Sequence, residues 1–175
     1  MAKISKKQQI EDERKILAEL QKNSNENIDT IAKHCGFSRQ RAWKIIKQLE
    51  KNHLIWGYAA IVDEEKKGLF HFIMLITKNM RQLDKKMKDR IDSIKIEDFT
   101  STLGITIESS CLVNGNYDWV ISFTAPDIIQ AKKFCDSFYE GFPGIIKHID
   151  LLQTLVFVRK QYIFNPNRKE LSELL

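Results

Sequence analysis

Long apolar runs are missing from this sequence. The strongest, Phe72 to Ile76, falls far short of the roughly 20 residues that cross a bilayer as a helix. The first residues, Met1 to Gln9, are mostly Lys and Gln rather than the apolar core of a signal peptide. Glycine and proline are scarce, at 7 and 3 residues, which excludes collagen-like and low-complexity chains. Cysteine is limited to Cys35, Cys111 and Cys135, with no CxxC pair, which argues against a disulfide framework or a zinc site and fits free thiols in a reducing compartment. The four histidines (His34, His53, His71, His148) are isolated from one another. No Ser-His-Asp, Cys-His or metal-ligand spacing accompanies them, so neither a catalytic site nor a metal or cofactor is expected. What is present is ordinary globular material: 175 residues, 43% hydrophobic and 29% charged, enough for one domain or two small ones. These features predict a soluble, cytoplasmic protein.

The charge is placed unevenly. Residues 1–60 carry 12 Lys+Arg against 7 Asp+Glu, whereas residues 61–175 carry 16 of each. Between Thr30 and Lys51, six basic residues (Lys33, Arg39, Arg41, Lys44, Lys47, Lys51) face one acid, Glu50. A basic half joined to a neutral half points to a polyanion as partner of the first. A Lys-rich helix that is simply a solvated face would look the same on charge alone.

Periodicity separates these readings. Asp12 to Leu20 sets Ile16, Leu17 and Leu20 on one helical face. After a polar break at Asn23 to Asn27, Ile28, Ile31, Ala32 and Cys35 outline a short second helix. Gly36 is a left-handed stop, Phe37 plugs the turn, and Ser38 caps a third helix whose inner face is Ala42, Ile45, Ile46 and Leu49. A helix, a tight glycine turn and a capped helix form the unit that lays its second helix in the major groove. The candidate DNA contacts are therefore Ser38, Arg39, Gln40, Arg41, Trp43, Lys44, Lys47 and Lys51. Arg39, Gln40 and Arg41 sit at the end that usually reaches base edges; Lys44, Lys47 and Lys51 suit phosphates. Trp43 either packs under a wing or a partner subunit, or makes an apolar contact in the groove. Leu54 to Val62, loosely alternating with Gly57 at a bend, predicts a wing hairpin.

In the second half, Phe70 to Thr77 predicts a buried strand, and Gln82 to Ile94 an amphipathic helix carrying Leu83, Met87, Ile91 and Ile94. Ile105 to Val113 and Trp119 to Ala125 predict a hairpin turning at Asn114-Gly115-Asn116. Asp127 to Glu140 predicts a helix with Ile128, Ala131, Phe134, Cys135 and Phe138 inward, and Ile145 to Val158 holds the last strand. The order βαββαβ is that of ferredoxin-like sandwiches, giving an α+β chain. Its expected divisions are a winged helix-turn-helix with linker at 1–62, a βαββαβ domain at 63–160 and a tail at 161–175, where Leu171, Leu174 and Leu175 recur at helical spacing. Helices cover one face of such a sheet; the other face predicts a partner subunit and a homodimer.

With these segments in place, the chain resembles the Lrp/AsnC (feast/famine) family of transcription regulators. The resemblance lies in Asp12-Glu13-Arg14-Lys15-Ile16-Leu17, Ala32-Lys33-His34-Cys35-Gly36-Phe37-Ser38, Lys47-Gln48-Leu49-Glu50-Lys51 and Ile55-Trp56-Gly57-Tyr58-Ala59-Ala60. It continues in Leu112-Val113-Asn114-Gly115-Asn116-Tyr117-Asp118 and Gly141-Phe142-Pro143-Gly144. It implies a winged helix-turn-helix on double-stranded operator DNA and a βαββαβ domain that makes dimers, often tetramers or octamers. It also implies a small effector, commonly an amino acid, near the loop Gly115, Asn116, Tyr117 and Asp118. There Gly115 would let the backbone approach a ligand, and Asp118 could meet an α-ammonium. Read without the family, Asn-Gly-Asn is simply a good hairpin turn. The family loop commonly has an acid where this chain has Asn116, the segment Asn79 to Gly104 is longer than usual, and a tail follows Lys160.

Two other classes compete with a regulator. Sirohaem decarboxylases resemble the same two-domain architecture, but the His-Asn-Tyr and Tyr-Asn-Leu-Trp type segments associated with them are not found here. A stand-alone amino-acid sensor with a vestigial front domain would have no reason to keep the basic face from Arg39 to Lys51.

Overall fold

The computed structural model describes residues 5–79, 85, 89 and 100–167. Of the expected helix from Gln82 to Ile94 only residues 85 and 89 are described, both helical; the remainder of it and the leucines at 171–175 lie outside the described residues. The chain divides into two compact units, one of residues up to Ile61 together with the segment from Val158, the other of Val62–Phe157.

In the first unit, α1 spans Lys6–Lys22, two turns earlier than the apolar periodicity begins, because Ser5 caps it by accepting from the Gln8 N–H. Helix α2 spans Ile28–Cys35 and opens on the Asn27 side chain, which accepts from the Asp29 N–H. Gly36 ends α2 at φ 71° and ψ 32°, a left-handed conformation that a residue with a Cβ adopts only at a cost. The Phe37 N–H then closes back on the Ala32 carbonyl at 2.8 Å. Helix α3, Arg39–Lys51, starts from Ser38, whose hydroxyl accepts from the Arg41 N–H. Ile16, Leu20, Ile31, Ala32, Cys35, Ala42, Ile46 and Leu49 form the core between these helices, with Ile45 and Phe37 packed at its edge.

The expected hairpin over Leu54 to Val62 is not formed; that stretch contains no strand. Alternation marks a segment able to pair, but pairing needs a partner strand, and among the described residues none pairs with it. Instead Leu54, Trp56, Tyr58 and Val62 are exposed. The two-stranded ribbon of this unit comes from the other end of the sequence: β5 (Arg159–Lys160) pairs antiparallel with β6 (Ile163–Phe164). The Arg159 guanidinium lies 3.8 Å from the Phe164 ring centroid, and the Gln21 amide donates to the Tyr162 hydroxyl at 3.0 Å.

The second unit is a four-stranded antiparallel sheet in the order β2-β3-β1-β4, with β1 Phe70–Lys78, β2 Thr106–Leu112, β3 Trp119–Ala125 and β4 Ile146–Gln153. The last strand therefore stops short of the expected Val158. Helix α4, Ile128–Gly141, is capped by Asp127. It buries Ala131, Phe134, Cys135 and Phe138 against Phe72, Met74, Ile76, Ile121 and Phe123. Ile128, expected on the same face, is exposed in the first turn. Phe134 is the hub of this core, edge-on to both Phe123 (4.8 Å) and Phe138 (5.2 Å). The opposite sheet face carries half-buried Ile73, Leu75 and Val120 and exposed Leu152.

Because Phe134 is fully buried, Phe134→Ala is expected to destabilise the second unit by about 3–5 kcal/mol. Urea unfolding followed by near-ultraviolet circular dichroism measures it; a loss below about 1 kcal/mol contradicts the packing described.

Candidate nucleic-acid interface

Helix α3 must serve two surfaces. At about 100° per residue, Arg39, Trp43, Lys47, Gln40, Lys51 and Lys44 fall within one arc of about 140°, while Ala42, Ile45, Ile46 and Leu49 take the opposite side. The burial agrees: all six residues of the arc are exposed, Trp43 at 55%, and the other four are buried or half-buried. Trp43 thus presents its indole to solvent within its unit.

The charged members differ in how they are held. Arg39 donates from Nη1 to Asp29 Oδ2 on α2 at 3.1 Å, an exposed pair. Lys47 donates to Glu50 Oε2 at 2.7 Å, and the Tyr58 hydroxyl donates to the other oxygen of the same carboxylate at 3.1 Å. The Lys47 hydrogen bond, reinforced by that from Tyr58, holds the Glu50 carboxyl below its ordinary range. Burial and the nearby carboxylate push the Tyr58 phenol up. Gln40, Lys44 and Lys51 have no side-chain hydrogen bond or ion pair among the described residues. Ser38 uses its oxygen as the helix cap and keeps its proton to donate.

Arg41 stands apart. It falls about 60° outside the exposed arc, and its guanidinium is paired with Asp12 of α1 while lying 4.7 Å from the Phe37 ring centroid. Asp12 is only 3% exposed. Burial pushes its carboxyl up, but hydrogen bonds from Gln8 and Arg41 and the Arg41 charge outweigh this, and its pKa ends below the ordinary value. The sequence contains a signal for this residue: Asp12, Ile16 and Leu20 repeat at i, i+4 and i+8, so the acid lies on the buried stripe rather than at a solvated helix start.

The other candidate loop belongs to the second unit. Gly115 and Asn116 are exposed at its tip, and Tyr117 and Asp118 are half-buried at its base. Asp118 is committed to its own chain. Its Oδ2 accepts from the Lys78 N–H at 2.9 Å, its Oδ1 lies 3.4 Å from Lys78 Nζ, and its N–H donates to the Ile76 carbonyl at 2.8 Å. The Thr77 hydroxyl donates to the Asn116 carbonyl. Tyr117 donates to Asp150 Oδ2 at 3.1 Å, and that carboxylate raises the pKa of the phenol. The Gly115 and Asn116 N–H groups carry no hydrogen bond among the described residues. The two buried thiols are not activated: burial pushes Cys135 up to about 11 and raises Cys35 as well.

Removing the Arg41 guanidinium strands the Asp12 charge, so Arg41→Ala is expected to cost about 1–3 kcal/mol at pH 7. Because the folded pKa of Asp12 is depressed, its contribution is present above the ordinary carboxylate value of about 4 and is lost as pH falls through the folded value. The gap between variant and wild type should therefore narrow near pH 3. Urea midpoints at the two pH values check it; a gap that widens on acidification refutes the pairing.

A family model described as winged helix-turn-helix DNA-binding matches residues 13–55. The chain is 27% identical over 134 residues to the leucine-responsive regulatory protein of Haemophilus influenzae, covering 75% of each. In fold it is similar to an AsnC family transcriptional regulator from Agrobacterium tumefaciens, with a TM-score of 0.63 and 18% identity over 94% of this chain and 98% of that one. It is also similar to a transcriptional regulator–L-Met complex from Neisseria meningitidis, with a TM-score of 0.62 and 17% identity over 99% and 100% of the two chains. A winged helix-turn-helix is thus matched in sequence, and the whole chain is similar in fold to AsnC-type regulators.

Proposed function

We propose that this protein is a sequence-specific DNA-binding transcription regulator, and that α3 is its reading helix. The observation that carries this is the exposed arc of α3, where Arg39 and Gln40 stand at the N-terminal end and Lys44, Lys47 and Lys51 line the rest. Guanidinium and amide groups match guanine and adenine edges, and the lysines meet phosphates. Arg41 contributes to the fold of the reading unit through Asp12 more than to base contact. The duplex target and the free thiols agree with a cytoplasmic protein. A sirohaem-decarboxylase-like enzyme and a stand-alone amino-acid sensor are not favoured, since the relatives over most of the chain are regulators.

The second unit is proposed to assemble the protein as a homodimer, or as a tetramer or octamer built from dimers. The sheet face away from α4, with Ile73, Leu75, Val120 and Leu152, is the surface that supports this reading. A two-fold pair would hold two copies of α3 at a fixed spacing. The same unit is proposed to take a small amino-acid effector; L-Met bound by the Neisseria relative lends support. The free N–H groups of Gly115 and Asn116 suit a carboxylate, whereas Asp118 would have to leave Lys78 to meet an ammonium.

Selection from random duplexes at near-physiological salt is expected to recover a palindrome with half-sites about one helical turn apart. On that site Arg39→Ala should cost about 1–3 kcal/mol and relax base choice, while Lys44→Ala should weaken all duplexes alike and flatten the salt slope by about one. Two variants that bind as wild type does would remove α3 from the interface. Sedimentation velocity is expected to show a dimer or larger, and titration calorimetry with L-Met to show heat that Gly115→Pro abolishes. A monomer, or heat unaffected by the variant, would refute the corresponding assignment.

A further inference from the structure

Glu50 is the one acid in α3, and nothing in the function so far uses it. By helical geometry it falls between Arg39 and Trp43, inside the exposed arc rather than behind it. An anion there opposes a phosphate backbone, and a helix selected only for DNA affinity would not place it so. Nor is it a loose surface acid. One oxygen holds Lys47 at 2.7 Å and the other holds the Tyr58 hydroxyl at 3.1 Å. The lysine is 53% exposed and the carboxylate 30%, so the pair remains reachable by a competing anion.

We propose that Glu50 is a specificity-determining residue, which keeps Lys47 paired and its own charge at the groove until a duplex offers contacts good enough to replace the pair. The inference rests on the reading of α3 as the DNA-binding helix. On random DNA the carboxylate repels phosphates and Lys47 stays on Glu50, so that contact is not made. On a preferred site, Arg39 and Gln40 fix the register. Lys47 then exchanges the carboxylate for a phosphate, and Glu50 keeps its hydrogen bond from Tyr58. Exposed pairs are weak, so the exchange is expected to alter affinity by about two- to fivefold. Tyr58 holds the carboxylate in place while Lys47 is exchanged.

The test compares Glu50→Gln with wild type on a random-sequence duplex and on the selected site across a salt series. Glutamine keeps the shape and can still accept from Tyr58, but it carries no charge. Expected are about two- to fivefold tighter binding to the random duplex and a random-duplex salt slope steeper by up to about one, the Lys47 contact now being made. The gain on the selected site should be smaller, so the ratio of the two affinities falls. Lys47→Ala should weaken the selected site more than the random duplex, and melting temperatures keep the comparison to folded protein. Unchanged random-duplex affinity in Glu50→Gln, or tighter binding with an unchanged slope, overturns the proposal. Lys44→Ala separates the two levels. If it too leaves binding unaltered, the reading of α3 fails; if it weakens binding while Glu50→Gln changes nothing, only the role of Glu50 fails.

Discussion

The two-sidedness of α3 is the constraint on which the first unit depends. Thirteen residues must bury one stripe deeply enough to hold three helices together and leave another free for a partner. The period of 3.6 residues makes this achievable only if each polar residue falls on the correct side. Ala42, Ile46 and Leu49 fill the inner side, and the arc from Arg39 to Lys44 the outer. Arg41 falls between the two, and the structure resolves its position by giving it a buried acid on α1. The same pair makes Asp12 tolerable inside, since an ionised carboxylate without a partner there would be strongly unfavourable. Helix α3 is thus fastened from behind by one of its own cations.

The second unit uses a different device. Its core is a ring cluster in which Phe134 bridges the sheet and the later turns of α4, while the candidate loop is braced from beneath. Asp118 ties the loop to Lys78 at the end of β1, and Tyr117 ties it to Asp150 on β4. This leaves the tip at Gly115 and Asn116 with free backbone donors on a rigid base, the arrangement in which a small anion can be held without reorganising the sheet. The hairpin reading and the ligand reading of Asn114-Gly115-Asn116 are therefore compatible: the base makes the turn, and the tip remains available.

Much of this was legible beforehand because local rules decide it. The Gly36 stop, the Ser38 cap, the inward stripe of α3, the strand at Trp119 to Ala125 and the helix that follows it before the last strand of the sheet follow from periodicity, capping and turn chemistry acting over a few residues. Three features were not. Asp12 is buried and paired with Arg41, and although its spacing from Ile16 and Leu20 places it on the buried side, nothing local names a partner twenty-nine residues away. Leu54 to Val62 was expected to pair as a hairpin, whereas the ribbon of that unit is built by Arg159 to Phe164, about a hundred residues further along. The last strand ends at Gln153, and the apolar run beyond it continues without a strand.

The sequence by itself determined most of the described elements and their order, the basic character of α3 and the resemblance to a family, since these depend on side-chain period, caps and composition within short windows. Only the tertiary structure decided which cations are free and which are already paired. Arg39 on Asp29, Arg41 on Asp12 and Lys47 on Glu50 are three different fates for residues that look alike in the sequence. The physical reason is that an ion pair depends on a separation of a few ångströms in space, and the chain brings those partners together from ten, twenty-nine and three residues away.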